Sequence, residues 1–404
     1  MSSEASVYLK LGGADNLVGS AFFSQRRGGP ISTTFRYEQS WLTRRGAFAI
    51  DPELPLVSGL LATPHRLPGA FSDCSPDRWG RRLVSKRSIH RQLTEVDFLL
   101  GVSDESRQGA LRFKVPGNDE FQHPDSAVPR MVELPELLRA ADAVTRDPDD
   151  RAAIKTLLDA GTGSLGGARP KASIRDGERL LIAKFPNIAD DEWDVMAWEK
   201  TALDLAALCG IVVPTSRLIT IDERHILLLD RFDRHGDGSR IPYLSAMTLA
   251  HGTDGGANDY DDLIEPLEEQ GSRVSRDLAE LWNRVAFSVL VHNTDDHLRN
   301  HGFLRASPAG WSLSPAFDIN PDPELRAARV TAIFGATTVD QEVDGLLLLA
   351  EACRLTSEAA LTRLGVLASA LASSWEGVAR RSGIMDTEIR QFAPIFERAA
   401  GFAA

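Results

Sequence analysis

The middle of the chain combines strand-like runs with a single helix, and this order restricts the fold more than any other feature. The strand-like runs occupy residues 171–174, 179–186, 216–221 and 225–232. The first two are joined by Arg175-Asp176-Gly177, and Asp-Gly between apolar runs is typical of a β-hairpin. Between the two pairs, residues 192–208 carry apolar side chains at helical spacing. Because helical patterns dominate from about Leu244 onward, we expect a β-rich unit followed by a helical one, with a ligand cleft between two such units.

The N-terminal part of the chain also mixes strands with helices. Apolar-rich runs at 6–12 and 17–23 flank a polar turn and predict a hairpin, and residues 47–50 are expected to form another strand. Residues 76–86 begin with proline and carry several arginines, which favours a helix that starts there. A stretch rich in proline, glycine and aspartate at 115–129 predicts a connection between domains. Further helices are expected at 134–143 and 149–158.

The composition is typical of a folded protein, and the net charge disfavours extensive direct contact with nucleic acid. Hydrophobic residues make up 43% and charged residues 25% of the 404 residues, which is ordinary for a globular chain. The formal net charge of −12 repels nucleic-acid phosphates and so disfavours a surface that coats DNA. The 3 cysteines lie far apart and form no CxxC, so neither a disulfide framework nor a thiolate zinc site is expected.

The expected location is the reducing cytoplasm. The chain starts without the pattern of a signal peptide. No apolar run approaches the roughly 18–20 residues that are needed to span a bilayer. We therefore expect a cytoplasmic protein without a membrane partner.

A glycine-rich loop, GTGSLGGARPK, precedes the first predicted hairpin of the middle region. Gly161, Gly163 and Gly166 match G-x-G-x-x-G. A dinucleotide-binding loop needs a strand before it and a helix after it, and here the order is reversed. A Walker A loop needs GxxxxGK followed by Ser or Thr, which no glycine of this loop supplies. The β-rich surroundings fit a kinase-type loop whose backbone N–H groups approach phosphates, and a flexible linker is the alternative.

Lys184 lies within an otherwise apolar predicted strand, one hairpin after the glycine-rich loop. A lysine in such a strand either extends its ammonium group to solvent or meets a buried negative charge. Its position along the chain matches that of the phosphate-binding lysine of kinases. The following helix carries Glu199, which would hold the ammonium group toward the phosphates, and Glu192 is a rival for this role.

A polar segment at 292–301, HNTDDHLRNH, directly follows an apolar run. Asp295 and Asn300 have the D-x-x-x-x-N spacing of a kinase catalytic loop, in which the aspartate accepts the proton of the attacking hydroxyl and the asparagine binds Mg²⁺. Asp318 comes 18 residues later, after a predicted hairpin, in the place of the metal-binding aspartate of D-F-G. Mg²⁺ prefers carboxylate and amide oxygens, so this set of residues predicts a magnesium site.

Other interpretations of this polar segment stay open at the level of sequence. His292, His297 and His301 could form a transition-metal site with the aspartates, although their intervals follow no standard pattern. The segment could also be a helix end with polar capping side chains. Asp296 competes with Asp295 as the general base, and the D-x-x-x-x-N spacing favours Asp295.

The chain resembles HipA-type serine/threonine kinases, the toxin half of bacterial toxin–antitoxin pairs. The matching C-terminal segments are SLGGARPK, LLIAKFP, LLLDRFDR, HNTDDHLRN and PAFDINP. The segments LPGAFSDCSPDRWGRRLV and DFLLGVSDESRQGALRF resemble the N-terminal domain of that family. The loop departs from the family pattern at Arg169-Pro170, and so do residues 243–247, YLSAM, which suggests a divergent subgroup.

The resemblance implies a protein-kinase-like bilobal α+β fold with an additional N-terminal domain. The expected parts are an N-terminal α+β domain at 1–130, a β-rich ATP-binding lobe at 131–235 and a helical catalytic lobe at 236–404. The implied reaction transfers the γ-phosphoryl group of Mg-ATP to a serine or threonine hydroxyl of a protein. Asp295 would be the general base, and Asn300 and Asp318 would bind Mg²⁺.

The resemblance also implies the residues around the nucleotide. The ATP-binding residues would be Gly163, Ser164, Gly166, Gly167, Lys171, Lys184, Asp230 and Phe232, with Glu199 and His297 in supporting roles. Ser164 falls on the loop serine that such kinases autophosphorylate. A phosphate there would add a charge of about −1.5 to −2 beside the triphosphate and should repel ATP.

A helix-turn-helix antitoxin of the HipB type is the implied partner, and DNA would be engaged mainly through it. The acidic net charge agrees with indirect contact to DNA. Two alternatives remain: a kinase that acts on a small molecule, and an inactive kinase-like corepressor. The intact set of Lys184, Asp295, Asn300 and Asp318 argues against the inactive corepressor.

Overall fold

The chain forms two compact units, each of which mixes helices with strands. The computed structural model describes residues 2–25, 29–64, 66–87, 93–122, 128–161 and 169–403. Unit 1 comprises residues 1–190 and 230–244, and unit 2 comprises residues 191–229 and 245–404.

A five-stranded antiparallel sheet forms the first part of unit 1. Its strands are β1 (Ser2–Leu11), β2 (Ala14–Gln25), β3 (Ile31–Tyr37), β4 (Leu61–Thr63) and β5 (Leu111–Lys114), in the sheet order β4-β3-β2-β1-β5. The predicted hairpin is confirmed, with Ser6 opposite Ser20. Gly19 lies where strands β2 and β3 pack closely, because a Cβ atom there would stand 2.4 Å from the carbonyl oxygen of Arg36.

The strand expected at 47–50 is wrong, because this segment has no strand pairing. The indole N–H of Trp41 donates to the carbonyl oxygen of Phe48 at 3.2 Å, and the backbone N–H of Ile50 donates to the hydroxyl of Tyr37 at 3.1 Å. The apolar side chain of Ile50 is buried without a neighbouring strand. Hydrogen bonds with side chains therefore satisfy backbone groups that would pair with a neighbouring strand if this segment were itself a strand.

The helices of unit 1 lie between and after the strands of the sheet in the sequence, and a hairpin follows them. They are α1 (Gln39–Leu42), α2 (Gly69–Asp73), α3 (Arg78–Arg87), α4 (Glu95–Gly101), α5 (Leu134–Arg146) and α6 (Arg151–Asp159). Trp79 and Leu83 of α3 pack with apolar residues of α5 and α6 in one buried cluster. The predicted hairpin then follows as β6 (Lys171–Asp176) and β7 (Arg179–Lys184), and Gly177 takes the turn with φ of +61°.

Unit 2 begins with a buried helix and a second hairpin, at the positions predicted. These elements are α7 (Val195–Leu208), β8 (Ser216–Ile221) and β9 (Arg224–Asp230). The Asp194 carboxylate caps α7 by accepting from the backbone N–H of Ala197 at 2.9 Å. Trp198 stacks on Phe392 with 3.9 Å between ring centroids, which fixes this helix against the C-terminal part of unit 2.

Helices dominate the rest of the chain, as expected. The strands are β10 (Tyr243–Ser245), β11 (Asn258–Asp259), β12 (Gly302–Ser307), β13 (Gly310–Leu313) and β14 (Thr331–Ala332), and the helices are α8 (Ala246–Leu249), α9 (Ile264–Gln270), α10 (Val274–Leu290), α11 (Glu342–Ala352), α12 (Ser357–Arg381) and α13 (Asp386–Ala400). Strands β12 and β13 form the predicted hairpin before Asp318. Every helix in the described part of the chain is too short or too polar to cross a membrane.

Candidate active site

The polar segment after helix α10 folds into a compact loop. His292 follows the end of the helix with a left-handed φ of +54°, which turns the chain away from the helix axis. Asp295 is exposed, whereas Asn300 is buried. The backbone N–H of His297 donates to the Asp295 carbonyl oxygen at 3.1 Å, and the amide of Asn300 donates to the same oxygen at 3.4 Å. This loop therefore holds Asn300 against the backbone of Asp295 and leaves the Asp295 side chain accessible.

The segment that carries Asp318 runs beside this loop. The backbone N–H of Asn320 donates to the side-chain oxygen of Asn293 at 3.2 Å, and that of Asp322 donates to the carbonyl oxygen of His292 at 3.1 Å. Asn300 and both neighbours of Asp318 in the sequence, Phe317 and Ile319, line one small cavity. The fold of unit 2 thus brings the segments of Asp295, Asn300 and Asp318 together.

Asp318 has an unusual backbone conformation and a polar neighbour. Its φ is +60°, in the left-handed region that non-glycine residues seldom adopt. The amide nitrogen of Asn320 donates to the Asp318 Oδ1 atom at 3.4 Å. The Oδ1 atom of Asn320 is itself buried and has no hydrogen-bond partner among the described residues. A buried amide oxygen beside a carboxylate is a donor set that suits a hard cation such as Mg²⁺.

Asn320 is thus a further candidate ligand for a cation, and it was not among the residues predicted from the sequence. Its signal is present in the segment PAFDINP, where an amide residue stands two positions after Asp318. The backbone turn at Asp318 brings the two side chains into contact, and this turn could not be predicted from residue types alone.

Asp296 lies in a buried hydrogen-bond network and is inaccessible to a substrate. Its carboxylate accepts from the Tyr260 hydroxyl at 2.7 Å and from the Ser288 hydroxyl at 3.1 Å, and lies 3.0 Å from Nε2 of His301. Burial alone would raise the pKa of Asp296. The charge and hydrogen bond of His301, the Tyr260 hydroxyl and the charge of Arg329 outweigh burial and lower this pKa to about 2. These contacts favour Asp295 over Asp296 as the general base.

The low pKa of Asp296 predicts a loss of stability in acid. The folded protein binds this proton less tightly than the unfolded chain, so the carboxylate stabilises the fold above about pH 4. This contribution, about 2 kcal/mol, is lost as the pH falls from about 4 to about 2. Urea unfolding at pH 5 and pH 3 should show a smaller decrease in stability for Asp296→Asn than for the wild type. Equal decreases in both proteins would contradict the assignment.

Two lysines lie opposite each other in the hairpin of unit 1. Lys171 of β6 pairs in register with Lys184 of β7, and both side chains are buried. Lys171 Nζ lies 3.4 Å from Oδ2 of Asp77. Burial raises the pKa of Asp77 to about 6, even though the charge of Lys171 opposes this rise. Glu199, the residue expected to pair with Lys184, is buried in unit 2, and that pairing stays a prediction.

The remaining predicted site residues are placed as follows. Asp230 ends strand β9, and its carboxylate accepts from Arg179 at 3.2 Å. Phe232 is half-buried, with its ring centroid 6.2 Å from that of Tyr243. His297 is half-buried, and its Nδ1 atom has no hydrogen-bond partner in the described part of the chain. Four loop residues lie outside the described residues: Gly163, Ser164, Gly166 and Gly167.

The transition-metal interpretation finds no support in the geometry. Within the described ranges, no group of three or more histidine, cysteine, aspartate or glutamate side chains is placed to hold a metal ion. His301 and Asp296 are instead partners in the buried network, and Nε2 of His292 lies 3.0 Å from the Glu324 carbonyl oxygen, to which it donates. Oxygen donors around Asp318 remain as the candidate cation ligands.

The chain is similar to several known proteins. The model of the HipA-like C-terminal domain matches residues 163–375, and that of the HipA N-terminal domain matches residues 14–114. "Putative kinase Y4mE" of Sinorhizobium fredii is 25% identical over 333 residues, which cover 74% of this chain and 73% of that protein. Toxin YjjJ of Escherichia coli is 25% identical over 168 residues, which cover 39% of this chain and 38% of that protein.

A solved structure shares the fold. It is the complex of the Shewanella oneidensis toxin–antitoxin proteins HipA and HipB with operator DNA, matched with a TM-score of 0.68 at 14% identity over 99% of this chain and 96% of that one. This likeness confirms the predicted kinase-like α+β fold with its additional N-terminal domain. Because the C-terminal domain match spans more than half of the chain, the protein belongs to the HipA family.

Proposed function

We propose that the chain is a serine/threonine protein kinase and the toxin component of a toxin–antitoxin pair. It transfers the γ-phosphoryl group of ATP to a hydroxyl of a cellular protein. Membership of the HipA family supports this proposal, as does the relative that bears the name of a toxin. The relative that bears the name of a kinase supports the class of reaction.

The observation that carries the proposal is that hydrogen bonds join two polar segments of unit 2. Hydrogen bonds between residues 292–293 and residues 320–322 join the segments that carry Asp295, Asn300 and Asp318, and the Asp295 side chain is exposed, which supports the proposal. Phosphoryl transfer depends mainly on positioning and on electrostatic stabilisation of the transferred group. A general base, two oxygen ligands and a separate phosphate-binding lysine are the parts that this reaction needs.

Each residue has a distinct proposed task. Asp295 accepts the proton of the attacking hydroxyl as the new oxygen–phosphorus bond forms and the bond between the γ-phosphorus and the leaving ADP breaks. Lys184 binds the ATP phosphates. Asn300 and Asp318 would hold Mg²⁺, with Asn320 beside them, and the metal supplies positive charge that offsets the charge of the phosphates. Lys171 contributes to ATP binding, Glu199 and His297 support the site, and Asp230 and Phe232 belong to the segment that binds adenine.

The proposed partner is a helix-turn-helix antitoxin. The related HipA was solved together with HipB and operator DNA. By this likeness we propose that DNA is reached mainly through the partner, and the net charge of −12 supports an indirect contact. The glycine-rich loop is proposed to contact ATP through Gly163, Gly166 and Gly167.

Labelling with radioactive ATP tests the proposed function. Purified chain with Mg²⁺ and γ-labelled ATP should incorporate label into serine or threonine of added cellular protein. It should also label itself at Ser164, and Ser164→Ala should lose this self-label. Label found only in small molecules would indicate a small-molecule kinase instead. No transfer under any condition would indicate an inactive corepressor and contradict the proposal.

A further inference from the structure

A charged cavity lies in unit 1, and every residue that lines it belongs to that unit. Its volume is about 440 Å³, within the roughly 300–1,000 Å³ that is typical of small-molecule sites. Seven of its described lining residues are lysine or arginine, and four are aspartate or glutamate. Neither Lys171 nor Lys184 is among the described residues that line it, so the cavity is separate from the lysines assigned to ATP.

Arg240 has an unsatisfied donor at this cavity. The side chain is 7% exposed, and its Nη2 atom donates to Oδ2 of Asp104 at 3.1 Å. The Nη1 atom is buried and has no hydrogen-bond partner in the described ranges. Arg112 also holds Asp104, with 2.7 Å between Nη2 and Oδ2, so this carboxylate is already shared by two guanidinium groups. A buried charged donor without an acceptor is costly, and an anion in the cavity would satisfy it.

Lys10 adds a second cation, which is half-buried. Its backbone N–H donates to the Ala110 carbonyl oxygen at 3.1 Å. Lys10 lies two residues after Tyr8 in β1, and Tyr8 pairs with Arg112 of β5. Side chains two residues apart share a face, so Lys10 and Arg112 emerge on the same face of the sheet and line the same cavity. Among the described residues, the Lys10 ammonium group has no ionic or hydrogen-bonding partner.

The other arginines that line the cavity are paired with carboxylates. Arg231 and Arg234 both donate to the buried carboxylate of Asp233, at 2.5 Å and 2.8 Å. Burial alone would raise the pKa of Asp233, but these guanidinium groups hold it well below its usual range. Arg179 is paired with Asp230 at 3.2 Å. The cationic groups that lack acceptors are therefore Lys10 and Nη1 of Arg240, within the part of the chain that the structure describes.

We propose that this cavity binds a small molecule that carries a phosphate group. The phosphate oxygens would accept from the Arg240 Nη1 atom and the Lys10 ammonium group at the same time, since a phosphate offers several charged oxygens. The volume fits a small molecule rather than a folded partner. Neither donor belongs to the residues proposed for catalysis or ATP binding, although Asp230 of the proposed adenine-binding segment also lines the cavity.

Calorimetric titration of the full-length chain with pyrophosphate, without Mg²⁺, tests the site. A Lys184→Ala background removes one of the two lysines assigned to ATP, and the loss of heat on changing Lys10 or Arg240 identifies the part of the signal that belongs to the cavity. We expect one binding site, weakened about tenfold or more by Lys10→Ala and by Arg240→Gln, because each change removes a charge-assisted hydrogen bond. Lys10 is only partly buried, so Lys10→Ala should fold normally. Lys155→Ala, which removes an exposed lysine of the same unit, is the matched control and should bind as the background does.

Three results would overturn the inference. The first is binding that neither Lys10→Ala nor Arg240→Gln weakens, or no binding at all. The second is malonate bound as tightly as pyrophosphate, which would make the site one for carboxylates. If pyrophosphate binds only when Lys184 is intact, the inference fails while the proposed kinase function stands.

Discussion

Replacing Asp295 by alanine is expected to lower the rate of phosphoryl transfer about 10²–10⁴-fold, the usual loss when a general base is removed. The side chain is exposed at the loop that also carries Asn300, so its removal should leave the fold intact. The rate is measured as transfer of labelled phosphate from Mg-ATP under single-turnover conditions. Affinity for ATP, measured on the same preparation, should change little because Asp295 acts on the acceptor hydroxyl.

Asp344→Asn is the matched control for this experiment, since it removes an exposed carboxylate from helix α11 of the same unit. Its rate should stay at the wild-type level. If Asp295→Ala and Asp344→Asn transfer phosphate equally fast, Asp295 is not the base. An equal loss of rate and of ATP affinity in Asp295→Ala would place this residue in nucleotide binding instead.

Glu342→Ala is expected to lower the free energy of unfolding by about 3–5 kcal/mol, because it leaves a buried charge unpaired. Glu342 and Arg329 are each 1% exposed, and Nη1 of Arg329 donates to the carboxylate at 2.9 Å. The second carboxylate oxygen accepts from Arg398 at 2.9 Å. Arg329 also donates to the Asn293 carbonyl oxygen at 3.2 Å, so this pair supports the loop that precedes Asp295. Chemical denaturation monitored by fluorescence and circular dichroism measures the effect.

Glu268→Ala is the comparison for this prediction. Glu268 pairs with Arg354 at the surface of the same unit, where the two side chains are 41% and 57% exposed. Exposed pairs contribute about 0–1 kcal/mol, so this variant should unfold close to the wild type. Similar losses of stability in both variants would show that the buried pair has no special role.

Local turn and spacing signals predicted much of the fold. The hairpin of β6 and β7 follows from Asp176-Gly177, and the predicted bounds of β8 agree with the structure. Helix α7 begins at Val195, three residues after the start of the predicted range, because Asp194 caps it. These elements were predictable because the interactions that define them lie within a few residues of each other.

The parts that were missed depend on distant contacts. Residues 47–50 look like a strand, but side chains of Trp41 and Tyr37 hold them in an irregular conformation. The D-x-x-x-x-N spacing separated Asp295 from Asp296, yet the buried network that distinguishes Asp296 includes the Tyr260 hydroxyl, which lies 36 residues away in the sequence. The oxygen of Asn320 became visible as a candidate ligand only through its burial.

The central proposal is that Asp318 and Asn300 would hold Mg²⁺ and that Lys184 would bind the phosphates of ATP. The most direct measurement is the ATP affinity of the wild type and of Asp318→Asn, each with and without Mg²⁺. We predict that Mg²⁺ strengthens ATP binding to the wild type and that Asp318→Asn loses most of this gain. The same gain with Mg²⁺ in both proteins would contradict the assignment of the metal site.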